Sequence, residues 1–221
     1  MESDGMRRLC RQMKISNIDE IIALIALSRP GPMDWIPDYI KGKEDPSTIK
    51  FPHPLLEDIC SETYGVMVYQ EQVMEAARLI AGYTLGRADI LRRAMGKKKP
   101  EEMAKQREIF VKGAKEVNEI DKKKADEIFN ILEKFAGYGF NKSHAVSYSV
   151  ISYQCAYLCT YYQTEWVASF LDKEPESRKE KAINLAKQHG YEIKPLNVNY
   201  SEDTWKIEVE DTLVAPLTTI K

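Results

Sequence analysis

Apolar residues recur at helical spacing in one segment after another along residues 17–171, and this recurrence limits the fold more than any other feature of the sequence. Spacings of three and four residues place such side chains on one face of an α-helix. The clearest examples are Val73, Ala76, Ala77 and Ile80 in one segment, and Ala125, Ile128, Phe129, Leu132, Phe135 and Ala136 in another. The pattern therefore predicts a mainly α fold, with several helices that pack through these apolar faces.

Capping residues and helix breakers predict where the helices end. Asn17 is predicted to cap a helix over IDEIIALIAL, which must stop at SRPGPMDW because two prolines and a glycine impose extended or turned backbone. Gly82 and Gly86 are predicted to bracket a turn, after which ADILRRAM forms a short helix that ends in GKKK. Pro100, followed by two glutamates, is predicted to open a helix that runs to about Val117.

The most aromatic segment spans residues 143–171 and is predicted to form one long helix or two. Ser143 and Thr164 are the predicted caps, since hydroxyl side chains accept hydrogen bonds from the N–H groups of a first turn. The tyrosines further along recur every four residues, and aromatic stripes at helical spacing usually pack inward. We therefore expect core positions for Tyr153, Tyr157 and Tyr161.

The last fifty residues follow a different pattern. The acidic and polar stretch KEPESRKEK leads into a predicted helix that ends at Gly190, and the segments TWKIEV and TLVAPL then alternate as strands do. Trp205, Ile207 and Val209 are predicted to share one face of a strand, because side chains alternate across it. The expected fold class is therefore mainly α, with a multi-helix domain and a small C-terminal α+β element.

Composition excludes some classes of protein. The four cysteines, Cys10, Cys60, Cys155 and Cys159, lack CxxC spacing and a matching His partner, so we expect no zinc site. We expect instead a reduced, cytoplasmic chain. No apolar run approaches the length of roughly 20 residues that a membrane span needs. We therefore expect no membrane partner.

Charge is balanced overall, with 32 basic and 34 acidic residues, but it is unevenly distributed. Residues 87–142 hold fifteen basic and ten acidic residues. Their densest part comprises Arg87, Arg92, Arg93, Lys97, Lys98 and Lys99 and is opposed only by Asp89, with Gly96 expected to let the backbone turn. Arginine binds phosphate oxygens in a bidentate fashion and lysine adds a mobile charge, so the cluster suits phosphate. A solvated basic surface is the alternative for the lysine run.

A second constellation lies in GYGFNKSHAVSYSVISYQ. Its glycines allow a ligand to approach the backbone closely. At the helix start near Ser143, backbone N–H groups are free to bind an anion, and Lys142 adds positive charge. His144 and Tyr148 are four residues apart and share a helix face that could hold a flat ring. The segment thus predicts a nucleotide site, and the alternative is a capped helix whose tyrosines are core.

Four segments together resemble consecutive motifs of the bacterial DNA polymerase III alpha subunit, the replicative polymerase of family C. They are IIALIALSRPGPM, TYGVMVYQEQVM, AGYTLGRADILRRAMGKKKPEEM and KFAGYGFNKSHAVSYSVISYQ. The resemblance covers residues 1–171 in the family's order and implies the polymerase fingers domain. The remainder, residues 172–221, is similar to the helix and short strands that lead toward the helix-hairpin-helix and clamp-binding part of the family.

The resemblance also implies roles for the two clusters. Arg92 and Arg93 would meet the triphosphate of the incoming dNTP, and His144 and Tyr148 would contact its sugar and base. The residues that would line the nucleotide pocket are Tyr138, Asn141, Lys142, Ser143, His144 and Tyr148. The residues that would contact template phosphates or add charge are Arg87, Lys97, Lys98 and Lys99.

The activity implied is template-directed DNA synthesis, a nucleotidyl transfer in DNA replication. Two Mg²⁺ ions held by palm aspartates would assist it. No paired-carboxylate motif of that kind occurs here, so we expect the palm to be absent, the isolated chain to be inactive, and no cofactor or metal to bind this chain alone. The expected partners are primer–template DNA, dNTP and the remaining palm, thumb and clamp-binding regions, with the sliding clamp reached only through those regions.

Two other hypotheses compete with the polymerase substructure. A free-standing helical module that binds DNA or protein, such as a split gene product, would share the helical pattern and the basic cluster. An independent enzyme is the third hypothesis, and neither a nucleophile–base pair nor a metal cluster in the sequence supports it.

Overall fold

The computed structural model describes residues 3–97 and 100–219, and those residues form eleven α-helices and three short strands. The helices are α1 (Asp4–Met13), α2 (Ile18–Leu27), α3 (Ile36–Glu44), α4 (Glu57–Cys60), α5 (Gln70–Ala81), α6 (Leu85–Lys97), α7 (Pro100–Asn118), α8 (Lys122–Ala136), α9 (Lys142–Tyr161), α10 (Gln163–Lys173) and α11 (Glu176–Gln188). The strands are β1 (Glu192–Lys194), β2 (Lys206–Val209) and β3 (Thr212–Val214). The predicted mainly α fold with a small C-terminal α+β element is confirmed.

The chain divides into two compact units, of which the first extends to Ile151 and the second begins at Ser152. The boundary predicted after Leu171, between a fingers domain and a C-terminal link, is a division by function and stays a prediction. Among the described residues, no helix combines the length and the apolar character that crossing a membrane requires.

One core of the first unit is formed by α5, α6, α7 and α8. The predicted apolar faces of α5 and α8 are buried in it, except that Phe135 is partly buried. Helix α7 approaches α5 so closely at Gly113 that an added Cβ would overlap the carbonyl oxygen of Ala81. Burial of aliphatic and aromatic side chains provides the main driving force for this packing.

A second core of the first unit joins α1, α2 and α3 to the segment Val66–Tyr69 and to Ala145 near the start of α9. Within it, Glu20 is 2% exposed and its carboxylate accepts a hydrogen bond from Lys43 Nζ at 2.8 Å. The backbone N–H of Ser16 and the hydroxyl of Tyr64 donate to the same carboxylate at 2.7 and 3.0 Å. A buried charge of this kind is tolerated because it is paired and hydrogen-bonded.

The boundaries predicted around α2 are confirmed. The side chain of Asn17 accepts a hydrogen bond from the backbone N–H of Glu20 at 3.0 Å, which satisfies one of the free donors of the first turn. The helix ends at Leu27, and the SRPGPMDW segment continues as a short 3-10 helix over Pro32–Trp35. Gly31 precedes it at φ 97°, a backbone conformation that glycine adopts without steric cost.

Two predictions about glycines near α6 are wrong. Gly82 does end α5 in the left-handed conformation, but Gly86 lies inside α6, because that helix begins at Leu85. Gly96 also lies within α6 and does not turn the backbone. Helix α7 begins at Pro100 as predicted and extends one residue past Val117.

The aromatic segment forms two helices, α9 and α10, and both cap predictions for it are wrong. Asn141 provides the cap of α9, since its Oδ1 accepts from the backbone N–H of His144 at 2.9 Å and from the Ser143 hydroxyl at 2.6 Å. Thr164 lies within the first turn of α10, which follows Tyr162. Ser143 is therefore held by the cap and is not the cap itself.

The predicted core position of the later tyrosines of α9 is also wrong. Tyr153, Tyr157 and Tyr161 are 53%, 45% and 68% exposed. Their rings contact one another along the helix, with centroids 6.4 Å apart between the first two and 4.6 Å apart between the last two. Helical spacing put them on one face, but nothing in the described part of the chain covers that face.

The second unit packs α10 and α11 against a three-stranded sheet of order β1-β3-β2. Strand β1 pairs with β3 in parallel, and β2 pairs with β3 in antiparallel. Trp205 is buried, whereas Ile207 and Val209 are exposed, so the predicted shared apolar face is wrong. Trp205 precedes β2, and a register shift between Ile207 and Val209 interrupts the alternation of side chains within the strand.

Candidate nucleotide-binding site

Three charged residues of α6 form one connected group. The Asp89 carboxylate accepts hydrogen bonds from Arg92 Nε at 3.0 Å and Nη2 at 2.7 Å, and its other oxygen lies 2.8 Å from Arg93 Nε. Hydrogen bonds from Arg92 hold the pKa of Asp89 below its usual value of 3.8. Both arginines reach the same acid because it lies three and four residues before them on the helix.

The two arginines differ in exposure and in their further partners. The side chain of Arg92 is 26% exposed, and its Nη1 donates to Gln70 Oε1 at 3.2 Å. The side chain of Arg93 is 66% exposed. Arg92 is therefore held on three of its donors, whereas Arg93 presents more of its guanidinium to solvent and to an incoming anion.

The remaining predicted phosphate contacts flank this group. Arg87 is exposed in the first turn of α6 and Lys97 is exposed at its last residue, one turn beyond Arg93. Lys98 and Lys99 lie outside the described residues. The roles assigned to all four stay predictions.

The second cluster begins at the start of α9, where an acidic side chain occupies the helix terminus. The Glu71 carboxylate accepts from the backbone N–H of Lys142 at 3.0 and 3.1 Å and from Asn141 Nδ2 at 3.1 Å. The Lys142 ammonium pairs with Glu62 at 2.6 Å and lies 5.2 Å from the centre of the Tyr69 ring. The sequence predicted free N–H groups at this helix start, open to an anion. The structure shows instead that the Glu71 carboxylate already complements the positive end of the helix.

An exposed aromatic row follows from this helix start. The rings of His144 and Tyr148 have centroids 4.6 Å apart, and the His144 ring is 5.4 Å from that of Phe140. Tyr148 is 54% exposed, and the guanidinium carbon of Arg29 lies 4.4 Å from the centroid of the Phe140 ring. The predicted shared face of His144 and Tyr148 is confirmed, and its exposure leaves it open to stacking.

Tyr138 is positioned by the SRPGP segment. Its carbonyl oxygen accepts a hydrogen bond from Arg29 Nη2 at 3.0 Å. A Cβ added at Gly31 would lie 2.7 Å from the Tyr138 ring, so only glycine fits there without displacing the tyrosine.

Four of the contacting residues were missed by sequence reasoning: Arg29, Glu62, Gln70 and Glu71. None of them belongs to a run of like charges, so charge density, which marked the arginine cluster, does not mark them. The quoted segments IIALIALSRPGPM and TYGVMVYQEQVM contain Arg29, Gln70 and Glu71, so the resemblance carried the only available signal. Glu62 lies just outside those segments.

One cavity of the first unit lies away from these residues. It has a volume of about 410 Å³, and its walls include Trp35, Lys41, Tyr64 and Phe135. None of the predicted site residues that the structure describes lines it. Across residues 3–97 and 100–219 there is also no group of three or more His, Cys, Asp or Glu side chains suited to hold a metal ion.

The helical first unit matches a known class of domain over most of its length. The family model described as the bacterial DNA polymerase III alpha subunit finger domain matches residues 1–118, more than half of the chain. The chain therefore belongs to the family of bacterial DNA polymerase III alpha subunit finger domains, as the sequence motifs predicted.

Curated relatives of the chain carry the name DNA polymerase III subunit alpha. That of Neisseria meningitidis serogroup A is 50% identical over 206 residues, or 91% of this chain. That of Treponema pallidum is 50% identical over 208 residues, or 93% of the chain, and that of Xylella fastidiosa strain Temecula1 is 46% identical over 222 residues, or 100%. The matched part is 18% of the length of each relative.

Proposed function

We propose that this chain supplies the fingers portion of a replicative DNA-directed DNA polymerase and binds the incoming dNTP together with primer–template DNA. The observation that carries the proposal is the Arg92–Arg93 pair, which has one strongly exposed guanidinium and is linked through Gln70 to Phe140 of the exposed aromatic row. Guanidinium groups bind phosphate oxygens, and aromatic rings stack on bases without regard to sequence.

In this proposal the nucleotide has a defined orientation. Its triphosphate lies toward α6, where Arg93 and then Arg92 exchange Asp89 for phosphate oxygens, and where Arg87 and Lys97 add charge. Its sugar and base lie toward His144 and Tyr148. The opposite orientation would put the triphosphate against the Glu71 carboxylate, and like charges repel.

The nucleotidyl transfer itself is assigned to residues outside this chain. Mg²⁺ ions at palm carboxylates would activate the primer 3′ hydroxyl and stabilise the leaving pyrophosphate. The isolated chain is then inactive, and a sliding clamp is reached through other regions of the polymerase. A cytoplasmic location stays a prediction.

The first test uses a complete polymerase that contains this segment. Replacing Arg92 and Arg93 together by Ala is expected to raise the KM for dNTP about tenfold or more, because two charge-assisted contacts to phosphate are lost. The double variant K122A/K123A removes two adjacent exposed cations from α8 and serves as the control. If the arginine variant kept the KM and the primer–template affinity of the control, the proposal would be wrong.

A second test separates the polymerase portion from a free-standing module. The 221-residue chain is assayed for primer extension alone and after addition of a fragment that carries the palm. Extension restored by the palm fragment supports the proposal, whereas extension by the chain alone would refute its inactivity. DNA binding that nucleotide does not alter, with no restoration, would favour the free-standing module.

A further inference from the structure

The first turn of α5 touches both clusters of the candidate site. Gln70 contacts Arg92 on one side, and Glu71 contacts Asn141 and Lys142 on the other. The two residues are adjacent in sequence, whereas their partners come from segments 22 and 71 positions further along the chain. The start of α5 thus contacts both the arginine cluster and the segment that begins α9.

Glu71 determines how α9 begins. Asn141 Nδ2 donates to the Glu71 carboxylate, which turns Asn141 Oδ1 toward the backbone N–H of His144. The same carboxylate also accepts from the N–H of Lys142. Because a helix start is held by such contacts, Glu71 fixes the position of His144 and, one turn later, of Tyr148.

Gln70 determines where Arg92 lies relative to Phe140. Its Oε1 accepts from Arg92 Nη1, and its backbone N–H donates to the Phe140 carbonyl at 2.9 Å. The N–H of Phe140 donates in turn to the Val68 carbonyl at 3.1 Å, so the two segments form a short parallel bridge. The loop that leads into α9 is therefore tied to the residue that holds the guanidinium.

We propose that Gln70 and Glu71 are positioning residues that fix the separation of the triphosphate-binding arginines and the base-binding aromatic row. This inference rests on the proposed function. A nucleotide bound at both ends has a fixed length, and a displacement of about 1 Å between its two subsites lowers reactivity strongly. Glu71 also repels the triphosphate from the start of α9, so it sets the orientation of the nucleotide as well.

The test compares E71A with E71Q in the complete polymerase, with E75A as the matched control. Glu75 lies one turn later on α5 and pairs with exposed Arg78 instead of either cluster. We expect E71A to raise the KM for dNTP about tenfold, because the base subsite moves relative to the arginines. E71Q keeps an acceptor oxygen for the Lys142 N–H and is expected to recover part of this loss, and E75A is expected to behave as the parent.

Inhibition by inorganic tripolyphosphate distinguishes positioning from general loss of structure. This anion needs only the arginines, so its inhibition constant is expected to stay the same or to fall in E71A while the KM for dNTP rises. A structural defect would weaken the binding of both tripolyphosphate and dNTP, and that outcome would overturn the inference. An unchanged KM for dNTP in both E71A and E71Q would overturn it as well. The R92A/R93A variant is measured in parallel. If R92A/R93A raises the KM for dNTP and E71A does not, the positioning inference fails but the proposed function stands. If neither variant raises the KM for dNTP, the proposed function fails.

Discussion

The Asp89 carboxylate accepts two hydrogen bonds from the Arg92 guanidinium, from Nε at 3.0 Å and from Nη2 at 2.7 Å. Its second oxygen pairs with Arg93 at 2.8 Å. One acid therefore neutralises part of the charge of both arginines, and it occupies the donors that a phosphate would need.

Asp89→Asn is expected to strengthen the binding of inorganic tripolyphosphate to the chain. The change removes a carboxylate that competes for the arginines, and an exposed pair of this kind corresponds to about a twofold to fivefold change in affinity. Isothermal titration at low salt measures it. Glu75→Gln makes the same charge change beside Arg78 on α5, and an equal gain in that control would show that Asp89 has no specific effect.

The buried Glu20 carboxylate makes the stability of the first unit depend on acid pH. Burial raises its pKa, but hydrogen bonds from Lys43, Ser16 and Tyr64 outweigh burial and leave the pKa below the ordinary value of 4.5. The unfolded chain therefore binds a proton at Glu20 more readily than the folded chain does. The stabilisation that the Glu20 carboxylate provides is complete above about pH 4.5, and it is lost as the pH falls through the lower pKa of the folded state.

Glu20→Ala is expected to lower the free energy of unfolding at neutral pH by roughly 3 kcal/mol, because it leaves Lys43 without its buried partner. It should also remove this part of the acid dependence. Urea unfolding between pH 3 and pH 7, roughly the range in which a carboxylate titrates, measures both effects. Glu44→Gln, which breaks the exposed pair with Lys14, is the control and should change both far less, because water screens an exposed pair.

Gly113→Ala is expected to destabilise the chain, although alanine favours helices. The new methyl group would overlap the Ala81 carbonyl, which is backbone and cannot turn away, so α7 must separate from α5 at a cost of about 1–3 kcal/mol. Gly86→Ala, in the first turn of α6, meets no atom within 4 Å and should be neutral or stabilising by about 0.5 kcal/mol. Thermal unfolding of both variants checks the prediction, which equal effects would contradict.

His144→Ala is expected to change nucleotide selection in the complete polymerase. The imidazole lies between the rings of Phe140 and Tyr148, so its loss breaks the aromatic row. The ratio of kcat/KM for correct and incorrect dNTP should change by about tenfold, the scale of one stacking contact. Tyr153→Ala, an exposed tyrosine later on α9, is the control. Identical steady-state selection in the parent and in His144→Ala would leave His144 with a structural role only.

Much of the fold could be predicted because local patterns agree with it. The apolar faces of α5 and α8, the Asn17 cap and the break after Leu27 follow from residues within one or two helical turns of each other. The position of His144 and Tyr148 on one face follows from the same helical geometry.

Some of the errors fall where residues distant in the chain decide the outcome. Asn141 rather than Ser143 caps α9, and it is oriented by Glu71, 70 positions earlier. The tyrosines Tyr153, Tyr157 and Tyr161 have core spacing and are exposed, because spacing defines a face but not what covers it.

The sequence by itself determined most of the longer helices, the family and the two clusters, since periodicity, caps and long motifs are local properties of the chain. Only the tertiary structure decided how the clusters are connected. It placed Gln70 and Glu71 between them, because hydrogen bonds between residues that are distant in the chain depend on distances that packing alone sets.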